Sequence, residues 1–324
     1  MNVLNFFEKV TNFNNLANAV AKTHRILCQC QSPACSISGG SDSDIMLDMV
    51  HKLDEDKKVR YVWFNTGLEY QATKRHLNEL ENKYSIEIER IPALKSIPQC
   101  CNEFGQPFLS KFVSDRISRL QNVHFDFSDM GFDEMLESFP TAKAAVAWWH
   151  NKNLSNKFNI NQYKFLKEFL IAYPPKFKIS QKCCYFAKKR TAELFTRENF
   201  IDLQLVGVRK AEGGVRSNLK SCFTGNYEHG IFRPLFWFSN KDKEIYCNLF
   251  DVQYSDCYTK YGLKRTGCAG CPFNIKLFEE IELVKDFEQG LITAAAHVFR
   301  KSYEYTRLYK EFCSAQRNST LSLF

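Results

Sequence analysis

The sequence predicts an α/β fold, a doubly wound and mostly parallel sheet with helices on both faces. Apolar strand-like segments at 34–38, 59–64 and 86–91 are separated by helical patterns at 44–53 and 69–84. Strands that alternate with helices are joined by right-handed crossovers, which make neighbouring strands parallel. With 324 residues, 44% of them hydrophobic, the chain can bury the large core that such a sheet requires.

Four regions follow along the chain. We predict the first half of the α/β domain at residues 1–104 and a helical, aromatic-rich insertion at 105–175, which ends near Pro174 and Pro175. A second half of the α/β domain, with a strand at 201–208, is predicted at 176–277. A helical region is predicted at 278–324.

The composition narrows the class of protein. The longest apolar runs are shorter than the roughly 18 to 20 residues of a membrane helix, so we expect a cytoplasmic protein without a membrane partner. Thirteen cysteines, several in adjacent or CxxC pairs, indicate metal binding or thiol chemistry rather than a secreted disulfide framework. A net charge of +8 favours an anionic partner, either a small phosphorylated substrate or a nucleic acid.

The segment between the first strand and its helix has the composition of an anion-binding loop. It comprises Ser38, Gly39, Gly40, Ser41, Asp42 and Ser43. Glycines let backbone N–H groups approach an anion closely, and the helix that follows adds its positive dipole end. The loop lacks the lysine of the GxxxxGK[ST] pattern and is not a GxGxxG loop. The alternative is that the same residues only cap the helix.

A second charged loop follows the predicted strand at 201–208. It contains Arg209, Glu212 and Arg216. Because ligands bind at the carboxyl ends of parallel strands, we expect this loop and the glycine loop to converge on one site. The planar guanidinium of arginine can donate two parallel hydrogen bonds to an oxyanion. The alternative interpretation is an exposed ion-pair cluster.

Two cysteine pairs form a candidate metal site. Cys183 and Cys184 are adjacent, and Cys268 and Cys271 follow after 83 intervening residues as a CxxC pair. Four thiolates can hold an iron–sulfur cluster or a structural zinc ion, although zinc ligand pairs usually stand two to four residues apart. Six basic residues and no acidic residue occupy 176–190, which would offset the thiolate charge. Four thiols without a metal are the third alternative.

Several motifs resemble those of one superfamily. SGGSDS at 38–43 is similar to the SGGxDS signature of PP-loop ATP pyrophosphatases. NTGLEY at 65–70 resembles the DTGLEFPET segment of the phosphoadenosine phosphosulfate (PAPS) reductases, with Asn65 in place of the aspartate. The segments at 207–216 and 233–237 resemble that family's GxRxxES..R loop and RPL..W segment.

The resemblance implies an adenine nucleotide alpha hydrolase-like fold and an adenine nucleotide ligand, either ATP or adenylyl sulfate. It places Ser38 to Ser43 at the phosphates and Asp42 near Mg²⁺. It implies that adenosine lies beside the second motif and the phosphates or sulfate beside the arginine loop. The residues concerned are Thr66, Gly67, Leu68, Glu69, Arg209, Glu212 and Arg216.

The cysteine pattern is similar to that of assimilatory adenylyl sulfate (APS) reductases. This similarity implies a [4Fe–4S] cluster on Cys183, Cys184, Cys268 and Cys271, with zinc as the alternative. The reductases also use a nucleophilic cysteine in a C-terminal tail, for which Cys313 is the candidate, although the usual Gly and His neighbours are missing. The alternative is that Cys313 is a helix residue packed by Tyr303, Tyr305 and Phe312, which leaves no nucleophile for the reduction of a sulfonucleotide.

Three functions remain after these comparisons of motifs. The first is an ATP pyrophosphatase that activates a substrate, such as a nucleic acid, for sulfur transfer from a donor such as a cysteine desulfurase. In that reaction Arg209 and Arg216 would stabilise charge on the transferring phosphate. The second is an APS or PAPS reductase that releases sulfite. The third is a nucleotide or redox sensor, or a DNA-binding subunit, without turnover.

Overall fold

The computed structural model describes residues 2–226 and 229–321, with the side chains of all of these except 214, 215 and 318–321. The strands are β1 (Pro33–Ile37), β2 (Arg60–Asn65), β3 (Ile88–Pro92), β4 (Leu203–Val206), β5 (Phe223–Thr224) and β6 (Gly230–Phe232). The helices are α1 (Val3–Val10), α2 (Asn14–Gln29), α3 (Ser41–Leu53), α4 (Gln71–Tyr84), α5 (Ile97–Phe104), α6 (Lys111–Asn122), α7 (Phe132–Ser138), α8 (Lys143–Trp149), α9 (Leu166–Ala172), α10 (Lys182–Cys184), α11 (Arg190–Glu198), α12 (Asn240–Phe250), α13 (Asp256–Thr259), α14 (Leu277–Val284), α15 (Gln289–Val298) and α16 (Arg300–Leu321).

The sheet has the strand order β3-β2-β1-β4-β6-β5. Neighbouring strands from β3 to β6 are parallel, and β5 alone pairs antiparallel, with β6. Strand order therefore reverses direction between β1 and β4, the point at which open α/β sheets bind ligands. The predicted mostly parallel α/β sheet is confirmed.

The predicted strands differ from the observed ones mainly at their ends. The segment predicted at 201–208 forms a strand only over Leu203–Val206, because the N–H of Val208 bonds to the carbonyl of Val206 and turns the chain out of the sheet. The sequence missed β5 and β6, which have two and three residues. Strands this short show too few alternating residues to produce a pattern.

The chain divides into two compact units. Unit 1 comprises Met1–Leu94, Ala187–Cys268 and Asp286–Glu288 and contains the sheet. Unit 2 comprises Lys95–Phe186, Ala269–Lys285 and Gln289–Phe324. Helices build unit 2, and its core is rich in aromatic side chains, among them Phe108, Trp148, Trp149 and Phe169. None of the described helices is both long and apolar enough to cross a membrane.

Helix α3 carries a buried carboxylate that joins three helices of unit 1. Asp48 accepts hydrogen bonds from the hydroxyls of Tyr84 in α4, at 3.0 Å, and Tyr246 in α12, at 2.7 Å. It also pairs with Lys52 one turn later. Burial and the neighbouring Asp48 charge raise the pKa of Tyr246, so this tyrosine stays protonated and donates to Asp48.

We predict that Tyr246→Phe destabilises the protein by about 1.5 to 3 kcal/mol, because a buried carboxylate loses a hydrogen bond. Urea unfolding of the wild-type and variant proteins measures this change. Asp48→Asn and the double variant complete a thermodynamic cycle. Additive effects of the two substitutions would contradict a direct interaction.

Candidate functional site

The loops that follow β1 and β4 lie side by side in unit 1. The two strands pair in parallel from Pro33↔Leu203 to Ser36↔Val206, so both loops leave the same edge of the sheet. Gly207 packs against the start of α3, where an added Cβ would lie 3.1 Å from the backbone of Asp42. This distance is shorter than ordinary van der Waals contact, so glycine favours the close approach. The expected convergence of the glycine loop and the arginine loop is confirmed.

The glycine loop is held in shape by its own last serine. The Ser43 hydroxyl oxygen accepts hydrogen bonds from the N–H groups of Ser38, at 3.2 Å, and Gly40, at 3.1 Å, and the hydroxyl donates to the Gly40 carbonyl at 2.8 Å. Gly39 has a φ of +63°, and an added Cβ would lie 2.7 Å from the Thr73 side chain. Ser43 thus caps the helix start, the alternative considered for this sequence, and shapes the loop.

Asp42, in the glycine loop, forms ion pairs with two cations. Its Oδ1 lies 3.0 Å from Nε of Arg209 and 2.7 Å from Nζ of Lys243 in α12. Neither Asp42 Oδ1 nor Arg209 Nε has a well-directed hydrogen bond within the described residues, although both atoms are buried. The contact between these two atoms is therefore an ion pair, and each atom can still form a hydrogen bond with a ligand. A phosphate could take up the donors, and a hard cation could take up the carboxylate oxygen.

Lys243 and Tyr258 complete the contacts of the loop. Nζ of Lys243 donates to the Ser41 hydroxyl oxygen at 2.6 Å, and the Ser41 N–H donates to the Tyr258 hydroxyl at 3.2 Å. The sequence analysis did not identify either residue. Nothing in the local pattern distinguishes Lys243 from the other charged residues of α12, and only the fold brings it to Asp42.

The arginine loop orients Arg209 through several contacts. Nη1 of Arg209 donates to the Phe238 carbonyl at 3.3 Å and to Oδ1 of Asn240 at 3.1 Å, while its N–H donates to Glu212 at 3.1 Å. Glu212 also forms an ion pair with Arg216. Glu212 is thus placed to shape the loop, and Arg209 and Arg216 supply its positive charge.

Arg216 belongs to a group of cations around Asp42. Burial lowers the pKa of Arg216, Asp42 opposes this effect, and the nearby Arg265 and Arg209 lower the pKa further. Mutual repulsion of this kind shows that several guanidinium groups share one region. An anionic ligand would relieve it.

The predicted adenosine segment folds into a tight turn around Glu69. The buried Glu69 carboxylate accepts hydrogen bonds from the Thr66 N–H, at 3.1 Å, the Thr66 hydroxyl, at 2.5 Å, and the Gly67 N–H, at 3.1 Å. Leu68 is also buried. Thr66 and Glu69 therefore build the turn. The turn lies beside Cys268, whose Sγ is 3.4 Å from the Thr66 hydroxyl oxygen.

A buried Asp–His pair joins α3 to α4 next to the loop. Oδ2 of Asp44 lies 3.0 Å from Nε2 of His76, and both side chains are at most 3% exposed. Burial raises the pKa of Asp44, and the hydrogen bond to His76 opposes this rise. Burial would lower the pKa of His76, but the bond and charge of Asp44 outweigh it and raise the pKa. The sequence analysis missed this pair because its two residues are distant along the chain.

The candidate metal ligands are distributed over both units. In unit 2, the pKa of Cys183 is raised, first by its hydrogen bond with Cys184 and then by burial. The nearby Cys101 and Cys271 raise it further. Cys268 belongs to unit 1. Within residues 2–226 and 229–321, no group of three or more His, Cys, Asp or Glu side chains is arranged to hold a metal ion.

Cys313, the candidate nucleophile, lies within helix α16 of unit 2. Its thiol donates to the Lys164 carbonyl at 3.5 Å, and its side chain packs against the aromatic core of that unit. The residue is therefore part of a packed helix. This agrees with the structural alternative, which the absence of the usual Gly and His neighbours favours.

We predict that His76→Ala destabilises unit 1 by about 3 to 5 kcal/mol, because it leaves the buried Asp44 carboxylate without its partner. Thermal and urea unfolding measure the loss. Asp44→Asn combined with His76→Ala removes the charge and should recover part of the stability. Equal destabilisation by the single and double variants would show that the charge is not the cause.

In the comparison with known proteins, one family model matches part of the chain. Residues 32–124 match the family model described as the phosphoadenosine phosphosulfate reductase domain. Among solved structures, the phosphate complex of phosphoadenylyl-sulfate (PAPS) reductase from Candida auris is similar at 12% identity and a TM-score of 0.42, over 76% of this chain and 87% of that chain. A search of curated proteins gives no match. The match to the PAPS reductase domain thus covers β1, β2, β3 and the glycine loop, which is less than a third of the chain.

Proposed function

We propose that this protein is a cytoplasmic enzyme of the PAPS reductase family that binds ATP and cleaves it to AMP and pyrophosphate, thereby activating a substrate for sulfur transfer. One observation carries the proposal. Asp42 is held by Arg209 and Lys243 through ion pairs, and its buried Oδ1 has no well-directed hydrogen bond within the described residues. Such a site can exchange its internal ion pairs for a metal-bound polyphosphate.

The donor set at Asp42 fits Mg²⁺. The ion prefers one or two carboxylate oxygens together with water and phosphate oxygens. Bound there, Mg²⁺ would neutralise charge on the phosphates of ATP. Asp42 would hold the ion, while Arg209 and Lys243 would turn their donors toward phosphate oxygens.

In the proposed reaction, an oxygen of the acceptor attacks the α-phosphorus of ATP. The new bond joins that oxygen to phosphorus, the bond between the α-phosphorus and the bridging oxygen breaks, and pyrophosphate leaves with the bond electrons. The terminal sulfur of a persulfide on a donor such as a cysteine desulfurase then attacks the activated acceptor, and AMP leaves with the oxygen and the bond electrons. A thiol reductant cleaves the resulting S–S bond, is itself oxidised to a disulfide with the donor, and leaves the sulfur on the acceptor. Arg209 and Arg216 stabilise the negative charge that develops during transfer.

The acceptor that we propose is a nucleic acid. The net charge of +8 supports an anionic partner, as does the run of basic residues at 176–190. A nucleic acid oxygen, once adenylated, provides AMP as a leaving group that sulfur can displace. The same chemistry applies to a smaller anionic acceptor.

A second candidate function is reduction of APS or PAPS to sulfite. The matched family model, described as the PAPS reductase domain, favours it. This reaction requires a nucleophilic thiol, and Cys313 lies in helix α16 with its thiol bonded to the Lys164 carbonyl. A nucleotide sensor or DNA-binding subunit without turnover is the third candidate. The products that each candidate releases separate the three.

We predict that the protein releases AMP and pyrophosphate from ATP and Mg²⁺, and that Asp42→Asn lowers kcat/KM about 100-fold or more through loss of electrostatic stabilisation. Radiolabelled ATP and a coupled pyrophosphate assay measure this. Asp56→Asn, at an exposed position of the same unit, is the matched control and should leave the rate unchanged.

Other outcomes would contradict the pyrophosphatase proposal. Sulfite release from APS or PAPS with a thiol, abolished by Cys313→Ser, would establish the reductase. Nucleotide binding without either product would establish the sensor. Full pyrophosphatase activity in Asp42→Asn would exclude the role assigned to Asp42.

We further propose that Cys183, Cys184, Cys268 and Cys271 hold a [4Fe–4S] cluster, with structural zinc as the alternative. Adjacent cysteines support the cluster because zinc ligand pairs are usually separated. A π-helical turn at Tyr185–Lys189 directly follows the adjacent pair, and such turns occur frequently at functional sites. In unit 2, the pKa of Cys183 is raised by its hydrogen bond with Cys184 and by the charge of Cys271, so these thiols lie near one another, although the described residues contain no arranged group of three metal ligands.

We predict that protein purified without oxygen absorbs broadly near about 400 nm and contains iron and acid-labile sulfide. The Cys183→Ser, Cys184→Ser double variant should lose the absorption band and the iron. Cys28→Ser, at an exposed position outside the pattern, should retain both. Stoichiometric zinc without sulfide would contradict the cluster.

A further inference from the structure

Unit 1 contains a basic cavity of about 510 Å³, separate from the residues that contact Asp42. Helix α2 contributes Lys22 and Arg25 to its wall. Cys222 lines it from before β5, and Arg233 and Trp237 from after β6. The described lining residues include three cations and no Asp or Glu.

The β5–β6 hairpin builds the inner end of this cavity. Phe223 pairs with Phe232 in the antiparallel ladder, so the residues just outside the ladder, Cys222 and Arg233, face each other. The N–H of Arg233 donates to the Cys222 carbonyl at 2.8 Å. This backbone bond fixes Arg233 at the end of a strand, and its position does not depend on a flexible loop.

The Arg233 side chain is buried with little to balance its charge. It is 8% exposed, and Nη1 donates to the Thr224 hydroxyl oxygen at 3.2 Å. Within the part of the chain that the structure describes, no carboxylate lies at ion-pair distance from this guanidinium. A guanidinium has five N–H donors, and burying its charge without an anionic partner is costly.

The second cation of the cavity also lacks a carboxylate partner within the described residues. Nζ of Lys22 lies 2.9 Å from Sγ of Cys222, which directs the ammonium group toward the inner end of the cavity. Arg25 lies one turn further along α2, at the exposed rim. The three cations are therefore arranged from the inner end of the cavity to its mouth.

We propose that this cavity is a second anion site that binds a phosphate or sulfate group between Arg233 and Lys22. Bidentate donation from a guanidinium and a point charge from an ammonium are the usual means of binding a tetrahedral oxyanion. The anion would supply the charge that the buried Arg233 lacks. The proposal does not depend on the proposed ATP chemistry, because none of its residues contacts Asp42.

Trp237 indicates how the anion is presented. Its side chain lines the cavity and is 58% exposed, unlike the other large aromatic residues of the same segment, Phe236 and Phe238, which are buried. An exposed indole beside an oxyanion site can stack on an aromatic ring that carries the phosphate or sulfate. The anion could therefore be free or part of an aromatic ester, and the experiment separates these sources.

Fluorine NMR of the full chain labelled with 5-fluorotryptophan tests the proposal. The chain has four tryptophans, and Trp237→Phe assigns the resonance of Trp237. Sulfate replaces chloride at constant ionic strength during the titration. We expect the Trp237 resonance alone to shift and to saturate, while those of the buried Trp63, Trp148 and Trp149 remain in place and report intact folding.

Substitutions identify the groups that bind the anion. Arg233→Gln and Lys22→Gln should each weaken sulfate binding about tenfold or more, because each removes charge-assisted hydrogen bonds. Lys9→Gln, at an exposed position of α1, should leave binding unchanged. Asp42→Asn should also leave it unchanged, so this result and the result of the pyrophosphatase assay are independent. If Arg233→Gln disturbs folding, Lys22→Gln provides the test.

The source of the anion is tested by comparing inorganic phosphate with phenyl phosphate. Tighter binding of phenyl phosphate, with a ring-current shift at Trp237, identifies an aromatic ester as the ligand class. Equal affinity identifies the free oxyanion. A Trp237 resonance that does not respond to any of these anions, or that responds equally in the wild-type protein and in Lys22→Gln, would overturn the proposal.

Discussion

The ion pairs of Asp42 with Arg209 and Lys243 are the interaction on which the site depends. They join the start of α3, the loop after β4 and helix α12 at the edge of the sheet where strand order reverses. Glycine at position 207 favours this meeting, since an added Cβ would lie only 3.1 Å from the backbone of α3 and would push it back by a few tenths of an ångström. The opposite charges are held together, yet Asp42 Oδ1 and Arg209 Nε have no well-directed hydrogen bond within the described residues. This arrangement is the basis of the proposed binding of a polyphosphate with its metal ion.

Helix α3 can present Asp42 in this position because its buried polar residues tie it to its neighbours. Asp44 bonds to His76 of α4, and Asp48, one turn later, bonds to Tyr84 and Tyr246. Buried carboxylates are costly to leave unpaired, so each pair specifies one arrangement of the helices. In the second basic cavity, the buried guanidinium of Arg233 has no carboxylate partner within the described residues. Because an unpaired buried charge is costly, we propose that an anionic ligand supplies the partner.

Several residues with a motif-based role prove to have a local structural one. Ser43 closes the glycine loop on itself, and Glu69 closes the turn that begins at Thr66. A side chain that satisfies backbone N–H groups holds a loop in a conformation that can receive a ligand, so structural and binding roles are compatible within one motif. Among the cations around Asp42, Nε of Arg209 is a buried donor without a well-directed hydrogen bond within the described residues.

Local sequence was sufficient to predict the strands β1 to β4, the helices α3 and α4 and the loop from Ser38 to Ser43. Apolar periodicity and glycine chemistry act over a few residues and can be read without a fold. The expectation that the two loops converge followed from the general behaviour of parallel sheets. The tertiary structure decided that β1 pairs with β4 and that Asp42 meets Arg209. Only the tertiary structure decided that Lys243 reaches Asp42, that His76 supports Asp44, and that Lys22 and Arg233 share a cavity. These contacts join residues far apart along the chain, and a charged side chain in a helix carries no local sign of which distant partner it will meet.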